Sequence, residues 1–392
     1  MTPAQIVAKR TGRRCLDLPS NRLGLYLALR HWCTPGQRLL MSPISADEII
    51  FLVLAAGLVP VIAPLSILDG NIEVTRALLE SVDAVLTTNL YGLPDRVTEY
   101  SGKTLIEDAA HGIETTVNGQ PLGTFGVAGV FSLSKHAAAG SGGVLAVEHE
   151  SDYRELKRHR DLLLRPGSLR CEIRSVLTSM ARQTALRLNQ VRPALAISRM
   201  LGLEEEREGY RIPPRRADLE KALAHAPNLP PFDPWVRADL HHYRNRNGAL
   251  ARWYQSRRMR ALPRERDRRI AGVHLLAELP SAAEGVRMHV DQPLFRVPLL
   301  VEDRDAAIAT LERHGVATGY LYDPPYDDYL PGLVVPSPSP EAARFWARHV
   351  LPVDPLYAHR ALPVVRRLRP ASPPPATRPP APARPTTAPN SR

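Results

Sequence analysis

The stretch that decides the fold of this 392-residue chain runs from Thr104 to Val147 and reads TLIEDAAHGIETTVNGQPLGTFGVAGVFSLSKHAAAGSGGVLAV. It opens on an apolar run, Thr104 to Glu107, that predicts a buried strand. Val127–Ser132 and Gly143–Val147 predict two more strands, with glycine-rich turns between them. Ligands of open α/β sheets bind at the carboxyl ends of the strands, so polar residues at these ends are candidates for a functional site.

The segments before this stretch alternate between helix-like and strand-like patterns. Strands are predicted at residues 38–41, 59–62 and 84–88, and helices at residues 23–32, 46–56 and 72–81. Alternation of this kind predicts an α/β fold with a large domain built on a mostly parallel central sheet.

The apolar run from Ile49 to Leu65 has two possible interpretations, a membrane span or buried elements of a globular core, because its 17 residues reach the lower limit of length for a membrane span. Gly57, Pro60 and Pro64 interrupt it. A helix that ends near Gly57 and is followed by a short buried strand therefore explains the run better, and no transmembrane segment is predicted.

The second half of the chain has a different pattern. A charged helix is predicted at 151–164 and a long basic amphipathic helix at 170–200; its apolar residues include Ile173, Leu177, Met180, Leu186 and Leu188. This helix is interpreted as packing on a domain or subunit face, with peripheral membrane contact as the open alternative. A loop is expected at 204–237. Helices at 238–262, 303–314 and 340–349, with strands at 295–301 and 317–322, predict a smaller α+β domain.

These patterns divide the chain into four parts. We predict a large cofactor-binding core at 1–150, a helical, basic connection at 151–237, a small C-terminal domain at 238–368 and a disordered tail rich in proline and arginine at 369–392.

The net charge of +11 raises the question of a nucleic-acid partner. Six arginines lie in residues 366–392, and eight more lie in residues 252–269. Neither block has interleaved aromatic residues and no nucleic-acid motif is present, so no nucleic-acid partner is predicted. Three cysteines without regular spacing and an N-terminus without an apolar core indicate free thiols, no secretory signal and a cytoplasmic protein.

Asp108, at the end of one predicted strand, and Lys135, which lies 27 residues later and beyond a second strand, suit pyridoxal-phosphate (PLP) chemistry. The lysine would supply a Schiff-base amine, and the acid would pair with the protonated pyridine nitrogen of the cofactor. Spacing alone leaves the simpler interpretation open, in which Lys135 lies on the surface and Asp108 caps a turn.

Three consecutive motifs narrow this choice. They are E-D-A-A-H at 107–111, G-x-x-G-V-A-G-V-F-S at 123–132 and K-H-A-A-A-G-S-G-G at 135–143. Together they resemble the core of the DegT/StrS-type nucleotide-sugar aminotransferases, which have the aspartate aminotransferase fold. Weaker likenesses to that family occur at residues 57–61, 89–92, 314–326 and 349–355.

The resemblance implies a PLP-dependent transferase of fold type I and gives roles to individual residues. Lys135 would hold PLP as a Schiff base, Asp108 would face the pyridine nitrogen, and His111 would lie beside the ring. The residues that would contact the phosphate are Ser132, Ser20 and Asn21. The resemblance further implies a nucleotide-linked keto-sugar or keto-cyclitol as substrate, an amino acid as amino donor, and a homodimer.

The sequence also departs from the family pattern. The family's S-G-T loop reads Ser20-Asn21-Arg22 here, its ring-stacking aromatic residue is replaced by Ala46, its N-terminal active-site arm is missing, and Ser132 and Lys135 are closer than usual. The alternative is therefore a catalytically impaired homologue that acts as a binding or regulatory partner in a polysaccharide or natural-product pathway. PLP-dependent dehydration is a third interpretation, but dehydratases of this fold usually have histidine in place of Lys135.

Overall fold

The computed structural model describes residues 1–188, 193, 244–319 and 322–374. Its centre is a seven-stranded sheet with the strand order β1-β9-β8-β5-β4-β2-β3. The strands are β1 (Arg14–Leu18), β2 (Arg38–Met41), β3 (Val59–Ile62), β4 (Ala84–Thr87), β5 (Thr104–Asp108), β8 (Ala128–Ser132) and β9 (Gly143–Val147). The pairings from β3 through β8 are all parallel, whereas β9 runs antiparallel to both β8 and β1. The mostly parallel sheet predicted from the sequence is confirmed.

A small antiparallel hairpin, β6 (Thr116–Val117) and β7 (Gln120–Pro121), lies between β5 and β8. The helices of this half are α1 (Pro3–Thr11), α2 (Asn21–Trp32), α3 (Asp47–Ala55), α4 (Arg76–Glu80), α5 (Glu150–Leu163) and α6 (Leu169–Arg187). Helix α2 lies close against the sheet, since a Cβ atom on Gly24 would come within 2.6 Å of the Val130 side chain in β8. This close packing places the first turn of α2 beside the carboxyl ends of the strands.

The apolar run from Ile49 to Leu65 is divided between α3 and β3, as the sequence predicted. Gly57 has a φ of 79°, a left-handed conformation in which glycine ends the helical segment without steric cost. The side chains of α3 are all buried, which explains why this helix shows no polar face. None of the described helices is both long enough and apolar enough to cross a bilayer.

The C-terminal part contains an antiparallel pair of strands, β10 (Val297–Leu300) and β11 (Val350–Val353). Around them lie α7 (Ala249–Ala277), α8 (Glu284–Met288), α9 (Arg304–Arg313), α10 (Tyr326–Tyr329), α11 (Glu341–His349) and α12 (Ala358–Val365). These elements enclose their own apolar core, in which Trp346 is fully buried. Residues 369–371 hydrogen bond to the backbone of 300–302, and residues from 375 onward lie outside the described chain.

Helix α7 corrects the helix predicted at 238–262. Residues 238–243 lie outside the described chain, and the helix begins at Ala249 and continues through Pro263 to Ala277. Pro263 lacks an N–H group and normally breaks a helix, which is why the prediction stopped before it. Apolar packing holds both halves in one helix: Leu262 packs against residues of the sheet, and Val273 packs in the C-terminal core.

Two other predictions need comment. The strand expected at 317–322 is wrong for residues 317–319, which form no strand, while residues 320 and 321 lie outside the described chain. The basic helix expected at 170–200 is present as α6 up to Arg187; of the residues beyond 188, only 193 is described before 244. Within α6, Ile173, Leu177 and Met180 are exposed.

The arginine-rich segment at 252–269 lies on α7, and several of its side chains bind within the chain. Arg258 donates to the Ala137 carbonyl at 2.8 Å, and Arg269 lies 3.3 Å from the Asp354 carboxylate. Such internal contacts account for part of the basic charge without an external polyanion, in line with the absence of a nucleic-acid motif.

Candidate active site

Strand β5 ends with two acidic residues, Glu107 and Asp108, whose side chains point in opposite directions. Successive side chains of a strand lie on opposite faces of the sheet, so Glu107 and Asp108 contact different parts of the chain. The buried Glu107 carboxylate accepts backbone N–H groups of Gly123, Phe125 and Gly126 at 2.7 to 2.8 Å. Glu107 therefore fixes the glycine-rich loop that leads into β8, while Asp108 is left to face the first turn of α2.

Asp108 is buried, and its hydrogen bonds within the described chain converge on one carboxylate oxygen. Oδ1 accepts from Asn21 Nδ2 at 3.1 Å and from the Ala110 N–H at 3.0 Å. Asn21 is itself held by a second hydrogen bond to the Val130 carbonyl. Burial raises the pKa of Asp108 to about 6, although these bonds and the nearby charges of Lys135 and Arg22 act in the opposite direction.

Lys135 follows β8 and is half-buried. Loss of solvent lowers the pKa of its amine, and the positive charges of Arg22 and Arg296 lower it further, against the opposing effect of Glu48 and Asp108. A lysine with a lowered pKa is more often neutral, which is the nucleophilic form of an amine. The charge of Lys135 in turn affects the pKa of both Asp108 and His111, so the three predicted groups share one site.

His111 is buried, and its Nδ1 atom accepts the backbone N–H of Tyr91 at 3.3 Å. Burial holds the pKa of His111 well below its ordinary value, so the ring is neutral at neutral pH. With Nδ1 accepting, the proton of the neutral ring resides on Nε2. The ring of Phe295 stacks on the imidazole with 4.8 Å between ring centres and fixes its plane.

The turn at Asn89–Gly92 connects these residues to the C-terminal part of the chain. Asn89 donates to the Asp108 carbonyl at 3.2 Å, and the Tyr91 carbonyl accepts from the N–H groups of Phe295 and Arg296 at 2.9 and 3.1 Å. Both Asn89 and Tyr91 have positive φ angles, 46° and 59°. Such strained backbone persists where the surrounding contacts demand it, and it is common around functional sites.

Ser20 and Ser132, the two serines predicted to contact phosphate, lie next to Gly142 and Gly143, where β9 begins. Ser20 forms a parallel bridge with Gly142, and Ser132 pairs with Gly143. A Cβ atom on Gly143 would lie 2.6 Å from the Asn21 nitrogen, so only glycine allows the N-terminus of α2 to approach this closely. Ser20 is the N-cap of α2, and Ser132 Oγ lies 3.0 Å from Ser134 Oγ.

The departures noted in the sequence have structural counterparts. Ala46 caps α3 without a side-chain hydrogen bond, and its carbonyl accepts from the Tyr326 hydroxyl at 2.6 Å. Arg22 forms an ion pair with Glu48 across 2.8 Å. The wall contributed by the starts of α2 and α3 is therefore charged rather than aromatic.

Sequence reasoning missed Glu48, Phe295 and Arg296 as residues of the site. Arg296 stacks over the Phe295 ring at 4.9 Å and forms a 2.6 Å ion pair with Asp354. No local motif marks these residues, because they reach the site from elements distant in sequence. The adjoining acids at Asp47–Glu48, in the first turn of a predicted helix, were the one available signal.

The donor set of this site fits PLP. Lys135 offers an amine with a lowered pKa, and Asp108 offers a carboxylate whose Oδ2 receives no hydrogen bond from the described residues. The N-terminus of α2, brought close by Gly143, presents backbone N–H groups of the kind that bind phosphate. Lys135, Asp108, His111, Ser20, Asn21 and Ser132 thus lie around the carboxyl ends of β5 and β8.

The fold has many solved counterparts. The aminotransferase PseC of Helicobacter pylori, involved in the biosynthesis of pseudoaminic acid, has a TM-score of 0.61 at 15% identity, covering 92% of this chain and 90% of its own. The sugar aminotransferase CalS13 of Micromonospora echinospora has a TM-score of 0.61 at 17% identity, with coverages of 93% and 90%.

A dehydratase shares the same fold. The E. coli GDP-4-keto-6-deoxy-D-mannose-3-dehydratase, solved with hydrated PLP, has a TM-score of 0.58 at 16% identity and covers 93% of this chain and 92% of its own. Identities this low establish the fold and nothing finer. No curated protein matches the sequence.

The fold is that of the PLP-dependent transferases of fold type I. The model of the DegT/DnrJ/EryC1/StrS aminotransferase family matches residues 13–245, more than half of the chain. The protein belongs to this family, and its cofactor is pyridoxal phosphate. The family resemblance expected from the sequence is therefore confirmed.

Proposed function

We propose that this aminotransferase transfers an amino group from an amino acid donor to a nucleotide-linked keto-sugar or keto-cyclitol, with Lys135 as the residue that carries PLP. The observation that supports the proposal best is the placement of the half-buried Lys135, whose pKa is lowered, beside the buried Asp108 and His111. Family membership supplies the reaction class, and the resemblance of the motifs at 107–143 to nucleotide-sugar aminotransferases supports the nucleotide sugar as substrate.

When bound, PLP supplies an electron sink that stabilises negative charge on the substrate carbon next to the amine. Asp108 is suited to pair with a cationic ring nitrogen, because a neighbouring positive charge favours its ionised form. Lys135, when neutral, can accept a proton at Nζ and return it. His111 stays neutral and offers the Nε2 hydrogen as a donor, while the Phe295 ring keeps the imidazole in place.

The charge of the site suits anionic ligands. Arg22 and Arg296 both lie close enough to lower the pKa of Lys135. Arg22 forms an ion pair with Glu48 and Arg296 forms one with Asp354, and the planar guanidinium group matches the geometry of phosphate and carboxylate. We propose that these two arginines help to bind the diphosphate of the nucleotide-linked substrate and the carboxylate of the amino donor.

The test is an absorbance spectrum of the purified chain with added PLP, beside that of Lys135→Ala. We expect a band near the visible edge in the wild type that disappears on borohydride reduction and is absent from the variant. Lys103→Ala is a matched control, because Lys103 binds the Val82 carbonyl at the far end of β5. If the wild type and Lys135→Ala give the same spectrum, Lys135 does not carry the cofactor.

A second candidate function is a catalytically impaired homologue with a binding or regulatory role, favoured by Ala46 and by the Arg22–Glu48 pair. Amino transfer to keto-sugar nucleotides, assayed at saturating PLP, separates the two: turnover supports the enzyme, and PLP binding without turnover supports the alternative. We also propose a homodimer located in the cytoplasm, since the family resemblance implies the dimer and Cys15 and Cys33 are free thiols.

A further inference from the structure

A second group of ligand-type side chains lies between the last turn of α2 and the middle of α5. One nitrogen of His31, one nitrogen of His159 and one oxygen of Glu155 all lie within 4.8 Å of one another. We propose that these three side chains bind a divalent transition metal, for which Zn²⁺ fits best. This metal site is independent of the proposed amino transfer, since it shares no residue with the site around Lys135.

The acidic residues and the histidine of the cluster lie on one face of α5. Asp152, Glu155 and His159 are separated by three and four residues, so they lie on one face of the helix, the face turned toward His31. Three of the four basic residues of α5 project from the opposite face; they are Arg154, Lys157 and Arg158. The fourth, Arg160, donates to the Asp17 carbonyl and the Asp161 carboxylate. The α5 side chains that lie beside His31 are therefore acidic or imidazole groups.

The orientation of the His31 ring is the second part of the argument. Its Nε2 atom lies 3.2 Å from Asp152 Oδ1, and a carboxylate can only accept, so Nε2 carries the hydrogen. In the neutral ring, Nδ1 then carries the lone pair, and it faces Glu155 Oε2 at 3.9 Å. A histidine that donates one ring N–H to a carboxylate and presents the other nitrogen is the usual arrangement of a metal ligand and its supporting group.

The other carboxylate oxygen of Glu155 lies near His159. Glu155 Oε1 lies 4.0 Å from His159 Nε2. Ligand atoms of a tetrahedral zinc ion are about 3.3 Å apart, given bonds of about 2.0 Å. A tetrahedral site needs this distance to shorten by about 0.7 Å, and no pair of ligand atoms has to approach by more than about 1.5 Å. Glu155 and His159 are 49% and 40% exposed, so their side chains are free to move.

The ligand chemistry selects the metal class. Two imidazoles and one carboxylate, with a fourth position open to water, form a set that zinc binds in proteins. Calcium and magnesium prefer oxygen ligands, which two histidines do not supply. An ion here would connect the end of α2 to α5, and α2 carries Asn21 at its other end, about 15 Å away along the helix.

The experiment uses the full-length, tag-free chain after treatment with a chelator. Zinc alone is titrated by calorimetry, and Co²⁺ is added in a parallel sample as a spectroscopic probe of the coordination geometry. The variants are His159→Ala and Glu155→Gln, whose side chains are partly exposed, so the fold should survive. His149→Ala is the control, because His149 is exposed one residue before α5 and lies outside the cluster.

We expect one zinc ion per chain, with affinity at least 10-fold lower in His159→Ala and Glu155→Gln and unchanged in His149→Ala. Zinc should also raise the melting temperature of the chelator-treated wild type but not that of His159→Ala, whether or not PLP is present. Equal zinc affinity in all four proteins, or no binding by the wild type, would overturn the proposal. Neither result bears on the PLP spectrum, so the two proposals fail separately.

Discussion

The substitution Asp108→Asn should stabilise the cofactor-free protein while it removes activity. Asp108 is held in a buried position where its pKa is raised to about 6, from 3.8 for an ordinary aspartate. The folded state therefore binds the proton more tightly than the unfolded state, and stability falls as the pH rises from about 4 to about 6. Above that window, the ionised carboxylate costs about 3 kcal/mol relative to a neutral group.

Asparagine keeps the shape and the Oδ1 acceptor for Asn21 and Ala110, but it does not ionise. The free energies of unfolding in urea should therefore be similar for the two proteins near pH 4. The variant should be more stable above pH 6, by up to about 3 kcal/mol. The other carboxyl groups are common to both proteins and cancel in the difference, and Asp305→Asn, at a surface position, serves as the control.

Amino transfer by Asp108→Asn should fall about 100-fold or more, because a neutral amide cannot balance a cationic ring nitrogen. The reasoning is refuted if Asp108→Asn is less stable than the wild type at pH 8, or if the difference in stability does not change with pH. Either result would mean that burial does not penalise the charge of Asp108.

Three further predictions concern the surroundings of the site and the oligomeric state. Glu107→Gln should lower the free energy of unfolding by about 3 kcal/mol, since the amide cannot accept all three N–H groups that Glu107 binds. Urea denaturation measures this loss, with Glu99→Gln as the control, and a loss below about 1 kcal/mol would contradict the prediction. Gly143→Ala should weaken PLP binding and cost about 1–3 kcal/mol of stability, because the new Cβ meets backbone atoms 2.6 Å away. Gly102→Ala is the control for PLP affinity: its Cβ position is open and its φ of 82° costs stability only, so PLP affinity should not change. Unchanged PLP affinity in Gly143→Ala would refute the close approach. Light scattering should give roughly twice the chain mass of 43.4 kDa, and a monomeric mass at all concentrations would exclude the proposed homodimer.

The sheet was predictable because its strands are short, buried and bounded by turn residues. The strands at 38–41, 59–62 and 143–147 have the predicted limits. Two N-terminal elements were missed for different reasons. Helix α1 is polar on average, but Thr2 and Gln5 form a reciprocal cap that the sequence shows as T-x-x-Q. Strand β1 has only five residues, and it is identified as a strand by its antiparallel pairing with β9.

The site was predictable only where one segment carries several of its residues. Asp108, His111 and Lys135 lie within a single motif-bearing stretch, and the structure brings them within electrostatic reach of one another. Phe295 and Arg296 come from a segment about 160 residues further on, and the strained turn around Tyr91 positions them. Tertiary hydrogen bonds of this kind leave no periodic signal in a sequence, so no local pattern could have found them.

The departures from the family pattern bear on cofactor affinity more than on chemistry. Ala46 and Arg22 lie at the starts of α3 and α2. The sequence resemblance implies that they replace the family's ring-stacking aromatic residue and part of its phosphate loop, whereas Asp108, His111 and Lys135 keep their polar surroundings. A lost aromatic contact costs about 0.5–1.5 kcal/mol, and a lost hydrogen bond to a charged phosphate costs about 1.5–3 kcal/mol. Together these losses correspond to PLP affinity about 30- to 2000-fold weaker than that of a site with both features.

The protein should therefore be an enzyme that requires added PLP rather than one that has lost its reaction. Initial rates of amino transfer, measured against PLP concentration, should rise from near zero to a plateau, and PLP bound at equilibrium should follow the same curve. Lys135→Ala should show no such rise at any PLP concentration. If the wild type binds PLP to saturation and still shows no turnover, the loss lies in the chemistry, and the catalytically impaired homologue becomes the correct interpretation.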